Sequence, residues 1–429
     1  MHHFDYRGGT LHAEDVSLAA IATEVGTPFY CYSTATLQRH YIVLDEAFAG
    51  TPHLICFAVK ANSNQAVLAT MARLGAGMDV VSAGELKRAR AAGVPADRII
   101  FAGVGKSRPE MEYAITEDIR GFNVESEPEL ELLSAVATEL GRTARIALRV
   151  NPDVDAKTHA KISTGKSENK FGIPFLDAPR LMAKARALPG IETVGVHMHI
   201  GSQITDLAPF RDAFALLRGL VIELQAAETS PGHRLRHIDL GGGLGVPYVA
   251  GNVLPPHPSE YAAVAKAALG GLGLELVLEP GRLIVANAGV LVTRVLHVKH
   301  GEGRRFTIVD AAMNDLIRPT LYEAHHEIWP VDEALRAKPS VLQDIVGPVC
   351  ETGDYLALER PLPPFAAGEL MAVMTAGAYG AVMASTYNTR ALVPEVLVNG
   401  SRFAVVRPRV EVEELIALDR MPAWLMPQS

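Results

Sequence analysis

Leu54-Ile-Cys-Phe-Ala-Val-Lys60-Ala-Asn62 decides how the rest of the chain is read. Six apolar residues run into one lysine. A short unbroken apolar run has the character of a strand buried on both faces, as in a parallel sheet. A lysine at the carboxyl end of such a strand stands at the edge of a core, where burial can make it a nucleophile. A lysine snorkelling from a sheet edge explains the same letters with no chemistry. Asn62 and Ser63 then stand where they can cap a helix predicted over Gln65–Leu74.

Outward from this stretch, strand and helix patterns alternate. Apolar runs recur at Met78–Val81, Ile99–Ala102, Gly121–Val124, Arg145–Val150, Val194–Ile200, His237–Leu240 and Leu274–Leu278. Helical patterns lie at Ala83–Ala92, Glu127–Leu140, Pro179–Leu188, Ala208–Ala227 and Glu260–Leu272, with Ser126 and Glu129 spaced for a capping box. Eight strands alternating with helices predict a closed (β/α)8, TIM-like barrel, with an open doubly wound sheet as the rival. Before the sixth strand the chain inserts a polar stretch, Asn151 to Gly172, of the length that functional loops have.

After Glu279-Pro-Gly-Arg282 the alternation stops. Strand patterns follow at Val290–Val298, Arg305–Val309, Tyr355–Leu358 and Leu370–Met374. Val396–Val398 and Phe403–Val406 flank Asn399-Gly400, a hairpin signal. The expectation is α/β plus all-β: a barrel over 35–285 and a C-terminal antiparallel β-sandwich or barrel over 286–429. That β domain would also take the N-terminal segment, 1–34, through a strand at Phe29–Tyr32.

Composition narrows the class. With 429 residues, 48% of them hydrophobic, the chain can bury a large core. A net charge of −8 with no basic block argues against a nucleic-acid partner. Three scattered cysteines, Cys31, Cys56 and Cys350, suit neither a disulfide framework nor a zinc site, so no metal is expected. Met1-His-His-Phe-Asp lacks the character of a signal peptide, and no apolar run is long enough to span a bilayer. The expectation is a cytoplasmic protein with no membrane partner.

In a β/α barrel the chemistry sits at the carboxyl ends of the strands. Those ends carry Lys60, Asp79 with Ser82, Asn151, His199, Gly241-Gly242-Gly243 and Glu279. Glycines after the seventh strand let backbone N–H groups approach an anion, although a tight turn explains them equally well. Ser202 adds a hydroxyl. Glu279 can accept a hydrogen bond from a ring N–H and hold that nitrogen protonated. His199 reads either as a core histidine or as a flat ring able to stack on a planar cofactor. An anion site, an acid for a ring nitrogen and a lysine able to form an imine together describe pyridoxal 5'-phosphate. The second half adds Cys350-Glu351, Tyr379 between glycines, and Arg318 near Tyr322. Cys350 is either a buried filler or an acid that delivers a proton.

With these residues in view, the chain resembles the diaminopimelate decarboxylases, a family of the alanine-racemase-like (type III) pyridoxal phosphate enzymes. The likeness runs over nearly the whole length. It rests on Phe57-Ala-Val-Lys-Ala-Asn62, Met78-Asp-Val-Val-Ser-Ala-Gly-Glu85, Arg149-Val-Asn-Pro-Asp153, Gly165-Lys-Ser-Glu-Asn-Lys-Phe-Gly172 and His197-Met-His-Ile-Gly-Ser-Gln203. It continues through Gly241-Gly-Gly-Leu-Gly245, Glu279-Pro-Gly-Arg282, Ile317-Arg-Pro-Thr-Leu-Tyr322, Cys350-Glu351 and Ala376-Gly-Ala-Tyr-Gly380.

The resemblance implies that Lys60 carries pyridoxal phosphate, with Asp79 in the same site. His199 would stack on the ring and Glu279 would bind its nitrogen. Ser202, Gly241, Gly242, Gly243 and the Glu279-Pro280-Gly281-Arg282 backbone would hold the phosphate, with Tyr379 nearby. Cys350 would return a proton to the product. Arg282, Arg318, Tyr322, Glu351 and Tyr379 would bind an amino-acid substrate whose far end is itself an amino acid, since an arginine fork suits a carboxylate. The implied reaction converts meso-2,6-diaminopimelate to L-lysine and carbon dioxide, the last step of that route to lysine, in a homodimer with shared active sites. Decarboxylation of ornithine or arginine is the rival among enzymes, but it would leave Arg318 without a carboxylate partner. A racemase, or a cofactor-free regulatory homologue, fits these residues less well.

Overall fold

A computed structural model describes residues 2–155, 170–228, 233–249 and 254–426. The chain divides into two units, Leu37–Ala286 and a second built from the residues up to Thr36 together with those from Asn287 onward.

The apolar runs of the first unit become eight strands: β1 His53–Ala58, β2 Gly77–Val80, β3 Ile99–Phe101, β4 Gly121–Val124, β5 Ala144–Asn151, β6 Ile191–His197, β7 His237–Asp239 and β8 Glu275–Leu278. Each pairs in parallel with the next, and β8 returns to β1 through Leu276–His53, Val277–Leu54 and Leu278–Ile55. The barrel is therefore closed and has no free edge. Its strands are buried on both faces, which is why they read as near-continuous apolar runs.

The covering helices follow the same logic. The longest, Ala208–Ala226, buries Phe210, Phe214, Leu217, Leu220, Val221 and Leu224, the spacing of a single helical stripe. Phe210 meets Tyr261 of the next helix, Pro258–Leu269, edge-on with ring centroids 4.9 Å apart.

Local details depart from the sequence reading. Lys60 lies in a 3-10 turn, Val59–Ala61, and the helix Gln65–Arg73 is capped by Asn64, whose Oδ1 accepts from Ala66 N at 2.9 Å. Asn62 instead accepts from Asn64 N. Ser126 caps Glu127–Glu139 as expected, accepting from Glu129 N. The box is not completed, because the Glu129 carboxylate turns to Glu125 N and to Lys106 Nζ. A helix that the apolar pattern misses, Arg108–Thr116, completes the β/α alternation after β3. Most of the Asn151–Gly172 insertion, with all but its end of the Gly165–Gly172 motif, lies outside the described residues.

The second unit is built on a nine-stranded sheet. Its long central strand, Gly289–His300, pairs antiparallel with Phe29–Ser33, Arg305–Val309 and Leu370–Val373. The N-terminal segment thus lies inside this sheet. Glu395–Asn399 and Arg402–Arg407 form the expected hairpin, with Gly400 at φ 59 in the turn. Two pairings are parallel, Glu395–Asn399 with Phe29–Ser33 and Arg305–Val309 with Val341–Val346, so the mainly antiparallel sheet is mixed. Three short N-terminal strands, Phe4–Arg7, Thr10–Ala13 and Val16–Ser17, form a separate small sheet. Phe4, Leu11 and Ile21 pack there with Phe29, Val290 and Val396.

Candidate active site

Six of the eight strands deliver predicted residues to the carboxyl end of the barrel, Asn151 closing β5 among them. Lys60 follows β1, Asp79 lies in β2, His199 and Ser202 follow β6, Gly241–Gly243 follow β7 and Glu279 follows β8. Closure of the barrel fixes their neighbours: Asp79 stands opposite Ala58 in the β1–β2 register, and Asp239 opposite Val277 in β8.

Lys60 Nζ donates to Asp79 Oδ2 at 2.7 Å. The lysine side chain is 40% exposed and the carboxylate is fully buried. The sequence reading expects a desolvated lysine; the structure gives a half-exposed one held by a buried acid. Burial pushes the Asp79 carboxyl up, Glu279 adds to this, and the Lys60 ammonium opposes both. Asp79 Oδ1 has no hydrogen-bond partner among the described residues.

Glu279 is the centre of a buried cluster. Its Oε1 accepts from Asn123 Nδ2 at 3.1 Å, and Oε2 lies 3.2 Å from His197 Nε2, an ion pair rather than a well-aligned hydrogen bond. Asn123 also donates to Asp239 at 3.3 Å. One donor atom from each of His197, Asp239 and Glu279 lies within 4.8 Å of the others. Two carboxyls so close in a dry interior do not both ionise. Burial, then Glu279, push the Asp239 carboxyl up and favour its protonated form beside Glu279. Burial opposes charge on Glu279 as well, but His197 and Lys60 outweigh it and hold this carboxyl below the usual range. His197 responds in kind: burial resists its charge, and Glu279 with Asp239 overcomes that resistance and raises its proton affinity.

His199 behaves differently. Burial, then the Arg149 and Lys60 cations, push it far down, so its ring is neutral. Its Nδ1 accepts from Gly242 N at 3.1 Å, which fixes the ring against the glycine loop.

That loop tolerates no side chains. A Cβ on Gly242 would fall 2.3 Å from Glu279 O, and Gly243 has φ 112 with Gly201 O only 2.4 Å from where its Cβ would be. Beside it, Arg282 Nε and Nη2 donate to Ser202 Oγ at 3.3 and 3.0 Å, and Nη1 to Tyr248 Oη at 2.5 Å. A glycine cradle next to an anchored guanidinium is an anion site. Pro280 O accepts from Ala58 N at 3.1 Å, tying this loop back to the strand that leads to Lys60. Glycines no side chain could replace, a neutral flat ring, an ionised carboxylate and an orphaned buried oxygen beside a lysine fit pyridoxal phosphate.

Ser82 caps the helix Ala83–Ala91, accepting from Glu85 N at 3.2 Å; Arg318, Tyr322, Cys350, Glu351 and Tyr379 belong to the second unit. Arg318 opens the short helix Arg318–Tyr322 and is buried, with Nε 3.4 Å from His326 Nε2 and its guanidinium carbon 6.0 Å from the Tyr322 ring centre. Cys350 and Glu351 are exposed, and Cys350 N donates to Asn388 Oδ1. Tyr379 holds a left-handed φ of 55, a strained backbone for a bulky residue of the kind that gathers at functional sites. Sequence reasoning missed Asn123, His197, Asp239 and Tyr248 as site residues. For the first three the available signal was a polar residue at or near the carboxyl end of an apolar strand; for Tyr248 it was closeness to the glycine loop.

The model of the pyridoxal-dependent decarboxylase, pyridoxal binding domain family matches residues 34–286. The diaminopimelate decarboxylase of Vibrio cholerae is 52% identical over 426 residues, covering 98% of this chain and 99% of its relative. This chain belongs to the diaminopimelate decarboxylases. Solved structures agree. Diaminopimelate decarboxylase from Helicobacter pylori, complexed with L-lysine, is 41% identical with a TM-score of 0.89, covering 93% of this chain and 98% of that one. The enzyme from M. jannaschii in co-complex with L-lysine is 35% identical with a TM-score of 0.92, covering 99% of both chains. Pyridoxal phosphate is the cofactor of this family of enzymes and of this chain. Among the described residues no helix is long and apolar enough to cross a membrane.

Proposed function

We propose a division of labour among the residues of this chain in the decarboxylation of meso-2,6-diaminopimelate to L-lysine and carbon dioxide. That reaction, the last step of lysine biosynthesis by the diaminopimelate route, is the chain's activity as a carbon–carbon lyase. When bound, pyridoxal phosphate supplies an electron sink for the pair left behind as carbon dioxide departs.

In this reading Lys60 carries the cofactor and Asp79 orients its Nζ. The neutral His199 ring stacks on the cofactor plane. Glu279 accepts a hydrogen bond from the ring nitrogen and so keeps it protonated. Ser202, the Gly241–Gly243 backbone and the Glu279–Arg282 segment hold the phosphate, with Tyr379. Cys350 Sγ delivers a proton to the α-carbon. Arg318, Tyr322 and Glu351 recognise the distal amino-acid end of the substrate; Arg282, whose guanidinium is engaged by Ser202 and Tyr248, serves chiefly the phosphate end. The observation that carries the reading is a buried Glu279, paired with His197 at 3.2 Å, at the same barrel mouth as the Lys60–Asp79 pair.

A homodimer with shared active sites is part of the proposal. The exposure of Cys350 and Glu351 supports it, because a proton donor and an anion at the surface of one chain are open to a second. A cytoplasmic location is also proposed, supported by three free cysteines.

The test is to incubate the purified protein, loaded with pyridoxal phosphate, with meso-diaminopimelate, ornithine and arginine in turn. Carbon dioxide release and L-lysine from the first alone is expected. Faster release from ornithine or arginine would sink the substrate assignment.

A further inference from the structure

Three buried side chains around Glu279 have no part in the reading above: Asn123, His197 and Asp239. They arrive from three strands, β4, β6 and β7, and converge on the acid after β8. A barrel interior needs none of them, because apolar side chains fill it more cheaply than buried charges do.

We infer that His197 and Asp239 are positioning residues that hold the Glu279 carboxylate ionised and aimed, and thereby keep the cofactor's ring nitrogen protonated. The inference rests on the reading of Glu279 as the partner of that nitrogen. Its geometry is the His197 Nε2–Glu279 Oε2 ion pair at 3.2 Å and the Asn123 bridge, 3.1 Å to Glu279 and 3.3 Å to Asp239. Asp239 is itself fixed by Gly241 N, which donates to its Oδ1 at 2.9 Å, so the glycine loop and the acid share one anchor. His197 Nδ1 has no hydrogen-bond partner among the described residues. A histidine kept for structure alone would satisfy both ring nitrogens; among the described residues neither is hydrogen-bonded, and Nε2 faces the Glu279 carboxylate at 3.2 Å.

The charges facing the cluster are few. Lys60 and Asp79 act on it from the β1 and β2 ends, and Arg149 from β5. Among them His197 is the cation that touches Glu279 directly. Replacing it with a neutral side chain leaves a dry carboxylate with a weaker countercharge, and the proton shared with the ring nitrogen moves towards Glu279.

The experiment loads the full-length protein with pyridoxal phosphate labelled with 15N in the ring and reads the nitrogen's chemical shift at neutral pH. The wild type should show the protonated ring. Glu279→Gln is the control: if its signal stays that of a protonated ring, the Glu279 reading itself has failed. With that control moved to the neutral form, His197→Gln should move at least part-way with it. Its kcat should fall on the order of tenfold with little change in KM. A wild-type signal and kcat in His197→Gln would overturn the inference. Should that variant fail to fold, Asp239 decides. Asp239→Asn keeps a neutral donor to Glu279 and should keep the protonated signal, while Asp239→Leu should lose it. Equal signals in these two variants would equally overturn the proposal.

Discussion

Lys60 Nζ donates to a carboxylate, Asp79 Oδ2, that is wholly buried while the lysine itself is half in solvent. The pair is asymmetric: Asp79 cannot reach water, so it depends on Lys60 for its charge, whereas Lys60 can leave. Loading with cofactor, borohydride reduction and digestion should put a pyridoxyl group on the Lys60 peptide; a label on any other lysine would remove the assignment. Asp79→Asn should cut kcat by roughly 10- to 100-fold, the rate equivalent of one charge-assisted hydrogen bond of about 1.5–3 kcal/mol. Turnover equal to wild type would show that Asp79 only fills space.

The proposed role of Arg318 separates the substrate classes. Arg318 is buried and held near His326, and in its proposed role its loss would give up one ionic hydrogen bond to a distal carboxylate. Arg318→Ala should lower kcat/KM for meso-diaminopimelate by roughly tenfold or more, while Arg318→Lys retains part of it. An unchanged kcat/KM in the alanine variant refutes the role and reopens the ornithine and arginine readings.

The shared site is tested by mixing. Lys60→Ala and Cys350→Ala should each be nearly inactive. If the site is shared, refolding the two together should give about half mixed dimers, each with one site that has both residues intact, and activity should return to roughly a quarter of wild type. No recovery, with mixed dimers demonstrated by mass, would mean that Cys350 serves its own chain.

Glu85 gives a pH-dependent stability. Burial pushes its carboxyl up to about 7, against the hydrogen bond it accepts from Val81 N at 2.7 Å. Its folded value lies above the unfolded one of about 4.3, so its contribution is complete below about pH 4.3 and is lost as the pH rises through 7. Glu85→Gln keeps the acceptor and removes the charge. The variant and wild type should unfold alike near pH 4, with the variant more stable at pH 8 by up to about 3 kcal/mol. Parallel denaturation midpoints from pH 4 to 8 would contradict this.

The barrel was legible because each strand is buried on both faces and announces itself as an apolar run; β1, β4 and β7 need little more. Helix Arg108–Thr116 was not legible, since only Met111, Ala114 and Ile115 face the core and its first turn is polar. Strand Val341–Val346 hid for a different reason. Gln343 and Asp344 are buried in it, with Gln343 donating to Leu362 O and Pro363 O and accepting from Thr307 Oγ1. A polar pair looks like a loop until its partners are known. The same holds in the site. Lys60, Gly241–Gly243 and Glu279 stand at strand ends, where function is sought. Asn123 and Glu279 lie 156 residues apart, and nothing short of the closed barrel brings them together.

Strand Phe29–Ser33, near the start of the chain, pairs on one side with Gly289–His300 and on the other with Glu395–Asn399. Both partners are made after the whole barrel. At roughly 5–20 residues per second, this early strand waits tens of seconds on the ribosome with both edges open. The barrel needs nothing later than Leu278 to close and can fold in that interval. Synthesis therefore sets the order of assembly, barrel first and sheet last. The nascent chain must keep Phe-Tyr-Cys-Tyr-Ser from pairing with its counterpart on a neighbouring ribosome, a hazard that grows with expression level and that slower initiation would relieve.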